Sequence, residues 1–174
     1  MKNSIVEQRL RVLNYLDTLY YDIGKQMTDF ELQIQNQDGY MSKRYKYSYV
    51  GFQKKRFIVE ANARTILKNE IVIDLDDGTK EEMYLKAGIV KKYFPSAKVY
   101  DSGSKGIHIH IFDRSMLHMT KQEREDYRMK HIKMFDADPQ KAYERTTIAL
   151  EYAPHWKTGV IKDESDNKIK EINT

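Results

Sequence analysis

The clearest hydrophobic pattern lies around residue 70. Ile71-Val72-Ile73 is a β-branched run that suits a buried strand. Side chains alternate along a strand, so Asp74 and Asp76 share one face while Leu75 points the other way, into the core. Further on, Ile107, Ile109 and Ile111 alternate with His108, His110 and Phe112, which predicts a second strand. Between them GTKEEMYLKAGIVKKYF reads as a helix, acidic early and lysine-rich late as the macrodipole favours, and Pro95 closes it. The stretch is therefore strand, helix, strand. Upstream, Ile5, Leu10, Leu13, Leu16, Leu19, Tyr20 and Ile23 recur at helical spacing, predicting an amphipathic helix over 3–24 that Gly24 stops. Phe30, Leu32 and Ile34 alternate as a strand that ends in the turn QIQNQDG. Residues 58–68 fit helix or strand equally. Residues 116–135 form a second, highly charged helix with His118 and His131 on its surface. TTIALEYA reads as a strand, and the polar tail from Val160 is expected to fray or to add an edge strand.

Each strand ends in chemistry. Asp74 and Asp76 lie about 7 Å apart by strand rise and repel each other unless a cation stands between them. Hard cations such as Mg²⁺ or Mn²⁺ prefer such oxygen ligands. The competing reading is a hairpin, because Asp77-Gly78 is a good tight-turn dipeptide. A calcium loop does not fit, since Gly78 is one position too early and no ligand series follows. Ahead of the second strand, Ser102-Gly103-Ser104-Lys105-Gly106 is rich in small residues and backbone donors. Such a turn can cradle phosphate, with Lys105 adding a point charge. The glycine spacing is not that of a Walker loop. His108 stands two residues beyond this turn, within reach of a polyphosphate. From Tyr40 to Phe57 basic and aromatic residues interleave. Tyr45, Tyr47 and Tyr49 either stack on nucleic-acid bases or pack the core of an amphipathic strand.

Taken in order, IVIDLD and SGSKGIHIHIF resemble the Asp-x-Asp and Ser-Gly-x-x-Gly-x-His motifs of the archaeo-eukaryotic primase superfamily. A third element of that superfamily, a late carboxylate followed by His-x-Lys-Thr-Gly, is matched by FDADP and APHWKTG. The resemblance spans roughly residues 70 to 160. It implies an α+β fold: a mostly antiparallel sheet of the RNA-recognition-motif type, with flanking helices and an N-terminal α/β supplement. It also implies template-directed nucleotidyl transfer with two divalent metals, Mg²⁺ or Mn²⁺, on Asp74, Asp76 and one of Asp136 or Asp138. The spacing back from Lys157 falls between those two aspartates, and Glu151 is a further candidate. Asp138-Pro139 is also a good helix start. Ser102, Lys105, His108, His155 and Lys157 would bind the nucleotide, with His155 helping to hold the triphosphate. One departure stands out: the family often places a basic residue about six positions before this His, and Ala149 stands there.

Composition narrows the picture further. The chain has 174 residues, 40% of them hydrophobic and 32% charged, which predicts one globular domain. It has no apolar run long enough to span a membrane and no apolar signal core at its start, so an intracellular, cytoplasmic protein is expected. The absence of cysteine excludes disulfides and cysteine-ligated zinc, and the five histidines show no ligand spacing, so zinc is not expected. A net charge of +4 is permissive for a nucleic-acid partner; the resemblance implies a nucleic-acid template, with DNA favoured, and NTP or dNTP substrates. The catalytic motifs end near Gly159, so an accessory subunit or a larger parent chain is expected to supply further contacts. A non-catalytic nucleic-acid-binding module on the same fold is the alternative reading.

Overall fold

A computed structural model describes residues 2–23, 29–48 and 60–172. Helix α1 (Lys2–Asp17) continues into a π-helical turn, Thr18–Ile23. The strands in chain order are β1 (Glu31–Gln33), β2 (Tyr45–Lys46), β3 (Ala63–Thr65), β4 (Glu70–Leu75), β5 (Lys98–Asp101), β6 (Ile107–Phe112), β7 (Thr147–Ala149) and β8 (Asp163–Glu164). Helix α2 (Lys80–Tyr93) joins β4 to β5, α3 (Lys121–Met134) follows β6, and α4 (Asp166–Ile172) follows β8.

The strands make two four-stranded antiparallel sheets, β2-β1-β3-β7 and β4-β6-β5-β8, where the sequence suggests one central sheet. The fold class is α+β, as expected. In the second sheet β6 lies between β4 and β5 and runs antiparallel to both. The unit β4-α2-β5 is thus a split β-α-β with β6 inserted. Both helices that frame this sheet are capped from the sequence. Thr79 with Glu82 and Thr120 with Glu123 form reciprocal capping boxes, each worth about 1 kcal/mol.

Alternation along β4 and β6 sends their side chains to two different cores. Ile71, Ile73, Leu75, Ile107, Ile109 and Ile111 pack against α2 (Met83, Ala87, Val90), Ile132 of α3 and Ile169 of α4. On the opposite face Val72 meets Ile66 and Ile148 of the first sheet region. Tyr100 and Phe112 join Leu16, Leu19, Phe30 and Leu32. The central strands are therefore covered on both sides, which is why β4 reads as a continuous apolar run at Ile71-Val72-Ile73.

Several expectations change here. Ile5 and Leu10 are about half exposed, at 50% and 52%, and the buried stripe is Val12 and Leu16 of α1 with Leu19 of the π-helical turn. Leu10 falls on the far side of the helix from that stripe at 3.6 residues per turn. Ile5 lines a cleft with Gln35–Gln37 and Pro154–Trp156. His131 is buried, not on the surface: its Nδ1 donates to the Tyr127 carbonyl at 2.8 Å, and its ring packs edge-on to Phe94 and Tyr127. His118 is exposed as expected. The charged segment 116–135 is a 3₁₀ turn, Arg114–His118, followed by α3. Within the ambiguous stretch 58–68, residues 63–65 are strand, and residues 58 and 59 lie outside the described residues. TTIALEYA is strand only at β7, because the chain then turns Glu151 inward and puts Tyr152 at φ +66°. The tail does add an edge strand, β8, but continues into α4, whose Ile169 is buried in the core. In the basic-aromatic stretch Tyr47 takes the core reading, stacked on Phe30 at 5.0 Å with its hydroxyl on Asp17. Tyr49 and residues 50–57 lie outside the described residues. Among the described residues no helix is long and apolar enough to cross a membrane.

Candidate active site

The β4–β6 register brings the two strand-end motifs together. Asp74 pairs directly with His108, and Leu75 with Ile107. Directly opposed side chains on one face are close neighbours, and His108 Nε2 lies 3.4 Å from Asp74 Oδ1. Burial pushes the Asp74 carboxyl up from its usual range; nearby Lys141 opposes this, while Asp76 and Asp138 add to it. Burial and then Lys162 hold the His108 imidazole well below its usual range, so it is neutral. Its Nδ1 is buried with no hydrogen-bond partner.

Two pockets meet at this point. One, of about 440 Å³, is acidic and is lined by Asp74, Asp76, Asp77, Asp136, Asp138 and Lys86, among others. The other, of about 210 Å³, is lined by Asp74, Asp76, Ser102, Ser104, Lys105, Gly106, His108 and His155. Asp74 and Asp76 are the common wall. Asp77-Gly78 makes no hairpin: Gly78 has φ +89° and leads straight into the capping box of α2.

The two late aspartates are placed differently. Asp136 ends α3 in the left-handed region at φ +52°, and its side chain is 97% exposed, 3.7 Å from Lys86 Nζ. Asp138 is tied to the strand end, its N–H donating to the Asp74 carbonyl at 3.1 Å. Its carboxylate also caps the turn Pro139–Ala142 through the Gln140 N–H, so the helix-start reading of Asp138-Pro139 holds as well. Lys141, on that same turn, puts its ammonium 3.6 Å from Asp74 Oδ2 and 3.8 Å from Asp138 Oδ2. Among the described residues no three acidic or imidazole side chains converge as a closed metal cluster. The oxygen donors still suit a hard cation, and the Lys141 ammonium stands among them as a positive charge.

The second motif is shaped largely by itself. Ser102 Oγ accepts from the Ser104 and Gly106 N–H groups, Asp101 accepts from Gly103 N–H, and the Gly106 carbonyl accepts from Ser102 N–H. Four of the turn's amides are thus used internally. Lys105 is exposed at the rim. The glycines matter for close approach. A Cβ at Gly106 would stand 2.7 Å from the Leu75 carbonyl oxygen, and one at Gly103 (φ +80°) 2.4 Å from that of Val160. The third motif docks on this turn through Thr158 Oγ1, which donates to the Gly103 carbonyl at 2.6 Å. His155 Nδ1 accepts from the Lys157 N–H at 3.2 Å, which leaves Nε2 as the protonated nitrogen. Burial and then Lys157 lower its pKa. Lys157 itself is exposed and lines neither pocket.

Behind the site lies a buried charge network that the sequence reading did not find. Arg64 of β3 donates to both oxygens of Glu70, at 2.8 Å each, and to Glu151 at 2.9 and 3.0 Å. Glu70 accepts from His110 Nδ1 at 2.7 Å. The Lys162 ammonium lies 3.0 Å from His110 Nε2 and 3.2 Å from Glu151, and it also donates to the Ala149 carbonyl at 2.8 Å. All five side chains are fully buried. Burial lowers the Lys162 ammonium to about 8, with Glu151 opposing. For Glu151 burial acts upward, but Arg64 and Lys162 prevail and hold it far below the usual carboxylate range. The site candidate Glu151 is therefore engaged here, in a pair whose rupture costs about 3–5 kcal/mol. The network ties the first sheet to the strands that carry Asp74 and His108.

No family model matches the chain, and no curated protein matches it. Solved structures do. The AEP domain of the cyanophage S-2L primase-polymerase aligns at a TM-score of 0.58 and 15% identity, over 94% of this chain and 97% of that one. The fold is that of the archaeo-eukaryotic primases. A crystal structure of primase RepB' aligns at a TM-score of 0.57 and 12% identity, over 91% of this chain and 62% of that one.

Proposed function

We propose that this chain catalyses template-directed nucleotidyl transfer, as a primase or primase-polymerase. The observation that carries the proposal is the shared wall formed by Asp74 and Asp76. On one side of it is an acidic pocket, and on the other a pocket lined by Lys105, His108 and His155. That juxtaposition suits a polyphosphate neutralised from two directions. A terminal hydroxyl of a primer, or of an initiating nucleotide, attacks the α-phosphorus of an NTP or dNTP. The new P–O bond forms as the bond to pyrophosphate breaks.

Asp74, Asp76 and Asp138 are the residues that would hold Mg²⁺ or Mn²⁺, with Asp138 preferred to Asp136 because its backbone is anchored to Asp74. Such cations, when bound, neutralise the polyphosphate and favour the ionised hydroxyl. Lys105 supplies an exposed positive charge at the rim. His155, protonated at Nε2, offers a neutral donor, and the unpartnered Nδ1 of His108 offers a second polar contact if the ring turns. Since the turn's amides are largely used internally, these side chains rather than a backbone nest do the holding. Template and nucleotide are the expected partners, and an accessory subunit fits a chain that lacks the base at Ala149.

The test is incubation with template, labelled nucleotides and Mn²⁺, on both primed and bare strands. Extension supports the proposal. Template binding without incorporation supports the accessory-module reading, and degradation indicates a nuclease.

A further inference from the structure

Lys141 is absorbed by none of the motifs, yet it occupies a telling position. Its ammonium stands 3.6 Å from Asp74 and 3.8 Å from Asp138, at ion-pair range from two of the three proposed metal ligands. It is held there from a third side, donating to the Thr147 carbonyl of β7 at 3.2 Å. Its side chain is only 14% exposed. It is also tethered by the short turn Pro139–Ala142, which Asp138 itself caps. The other lysine at the pocket, Lys86, pairs instead with the exposed Asp136 at 3.7 Å and is 42% exposed. The two lysines thus separate the two late aspartates, and only Lys141 engages the carboxylates that face the strand end.

We infer that Lys141 is a resident counter-ion of the carboxylate site, which an arriving divalent cation must displace. The inference rests on the metal reading proposed above. Asp74, Asp76 and Asp138 would repel one another in an empty site, and a tethered ammonium relieves that repulsion at high local concentration without enclosing the site. Lys141 therefore sets the divalent concentration at which the site fills. It also keeps the strand end ordered when no metal is present.

The experiment is a Mn²⁺ titration followed by electron paramagnetic resonance, without nucleotide, on the wild-type chain and on Lys141→Gln, Lys141→Met, Lys141→Arg and Lys86→Gln. Removing one competing unit charge at this range, after solvent screening, should tighten Mn²⁺ binding roughly ten- to hundredfold in the Gln and Met variants. Lys141→Arg keeps the charge and should bind as the wild type does. Lys86→Gln should stay within about twofold of it. In chelator the Gln variant should melt below the wild type, and Mn²⁺ should raise its melting temperature by more. Met retains the length of the stem, so a folding defect confined to Gln leaves the test intact. If the wild type binds Mn²⁺ and both neutral variants bind it no more tightly, the counter-ion role is wrong and the metal site stands. If no form binds Mn²⁺ at millimolar concentration, both readings fall together.

Discussion

Gly106→Ala probes the contact on which the site depends, the seating of the phosphate turn on the end of β4. The added Cβ would lie 2.7 Å from the Leu75 carbonyl oxygen and 3.5 Å from Asp76 Cβ. The first of these is a backbone atom, and Leu75 is paired with Ile107 in the sheet. Gly106 is held on its own side too, its N–H on Ser102 Oγ at 3.1 Å and its carbonyl on Ser102 N–H at 3.0 Å. Gly106 is not among the glycines with positive φ, so alanine brings no left-handed strain. Two effects then oppose each other. Alanine restricts the unfolded chain, a gain of about 0.4–1 kcal/mol. Overpacking costs about 1–3 kcal/mol, and a contact pinned on both sides belongs in the upper part of that range. The net loss is about 1–2 kcal/mol, or roughly 2–8 °C in melting temperature for a chain of this size. The effect on function should be larger. Relief requires the turn to lift away from Asp76, and a displacement near 1 Å in a reacting site costs about 10²-fold. Thermal melts and nucleotide incorporation are measured together, with Gly159→Ala as the comparison. Gly159 has φ +71° and nothing within 4 Å of a built Cβ, so alanine there adds backbone strain without a clash. A Gly106→Ala protein that melts at or above the wild type and incorporates nucleotide normally would refute the packing argument.

The late carboxylate is resolved by Asp138→Asn and Asp136→Asn made separately: the first should abolish incorporation, and the second, at an exposed helix end, should leave it nearly normal. Normal activity in Asp138→Asn would return the role to Asp136 or to a residue outside the pocket. His108→Ala should weaken nucleotide binding by about 10- to 150-fold, the equivalent of roughly 1.5–3 kcal/mol for a hydrogen bond to a charged group; an unchanged titration would make His108 purely a packing residue. The His110 imidazole is held below its usual range by burial first and Lys162 second, so below pH about 6.5 the unfolded chain takes up a proton that the folded chain refuses. Its contribution is therefore complete above that pH and declines by about 1.4 kcal/mol per unit as the pH falls, until the folded chain also takes up the proton. Denaturant titrations from pH 7.5 to 5.5 should show this slope, reduced in His110→Asn, and an equal slope in the variant would assign the dependence to other groups.

The parts of this protein that were legible in its sequence are those in which one short segment carries the whole cause. The β-branched run before Asp74, the alternation of isoleucine with histidine at 107–112 and the capped helix between them each declare their own conformation. The ordered motifs pointed to the fold that the structural neighbours share. Where several distant segments act together, the sequence was silent. Arg64 lies in a stretch whose periodicity fits helix and strand alike, Glu70 opens a strand whose next three residues are apolar, and Lys162 sits in a polar tail. Each by itself reads as a solvated charge, and only their burial together shows that they neutralise one another. Lys141 had a local signal, three residues after Asp138 on a turn that a capping aspartate starts. His131 reads as a surface residue because the charges around it on α3 mask the one stripe that turns inward.

The register of β4 on β6 links these observations. Within the β4–β6 pair, side chains on one face alternate with those on the other, so the pairing that sets Asp74 opposite His108 also sets Val72 opposite His110 and Glu70 opposite Phe112. A slip of one residue would send the isoleucines toward the first sheet and the site residues into the helix-packed core. The apolar face sets the strand's orientation, but by itself it would accept a two-residue slip that keeps isoleucine on isoleucine. The buried network opposes that slip, because His110 reaches Glu70 and Lys162 only in the observed pairing, and Arg64 reaches Glu70 from the other sheet. Moving His110 by two positions would strand Glu70 and Lys162 without their imidazole partner in a fully buried place. The polar core thus fixes the one register in which the acidic and phosphate-facing motifs meet, and the geometry of the candidate site depends on residues that touch neither pocket.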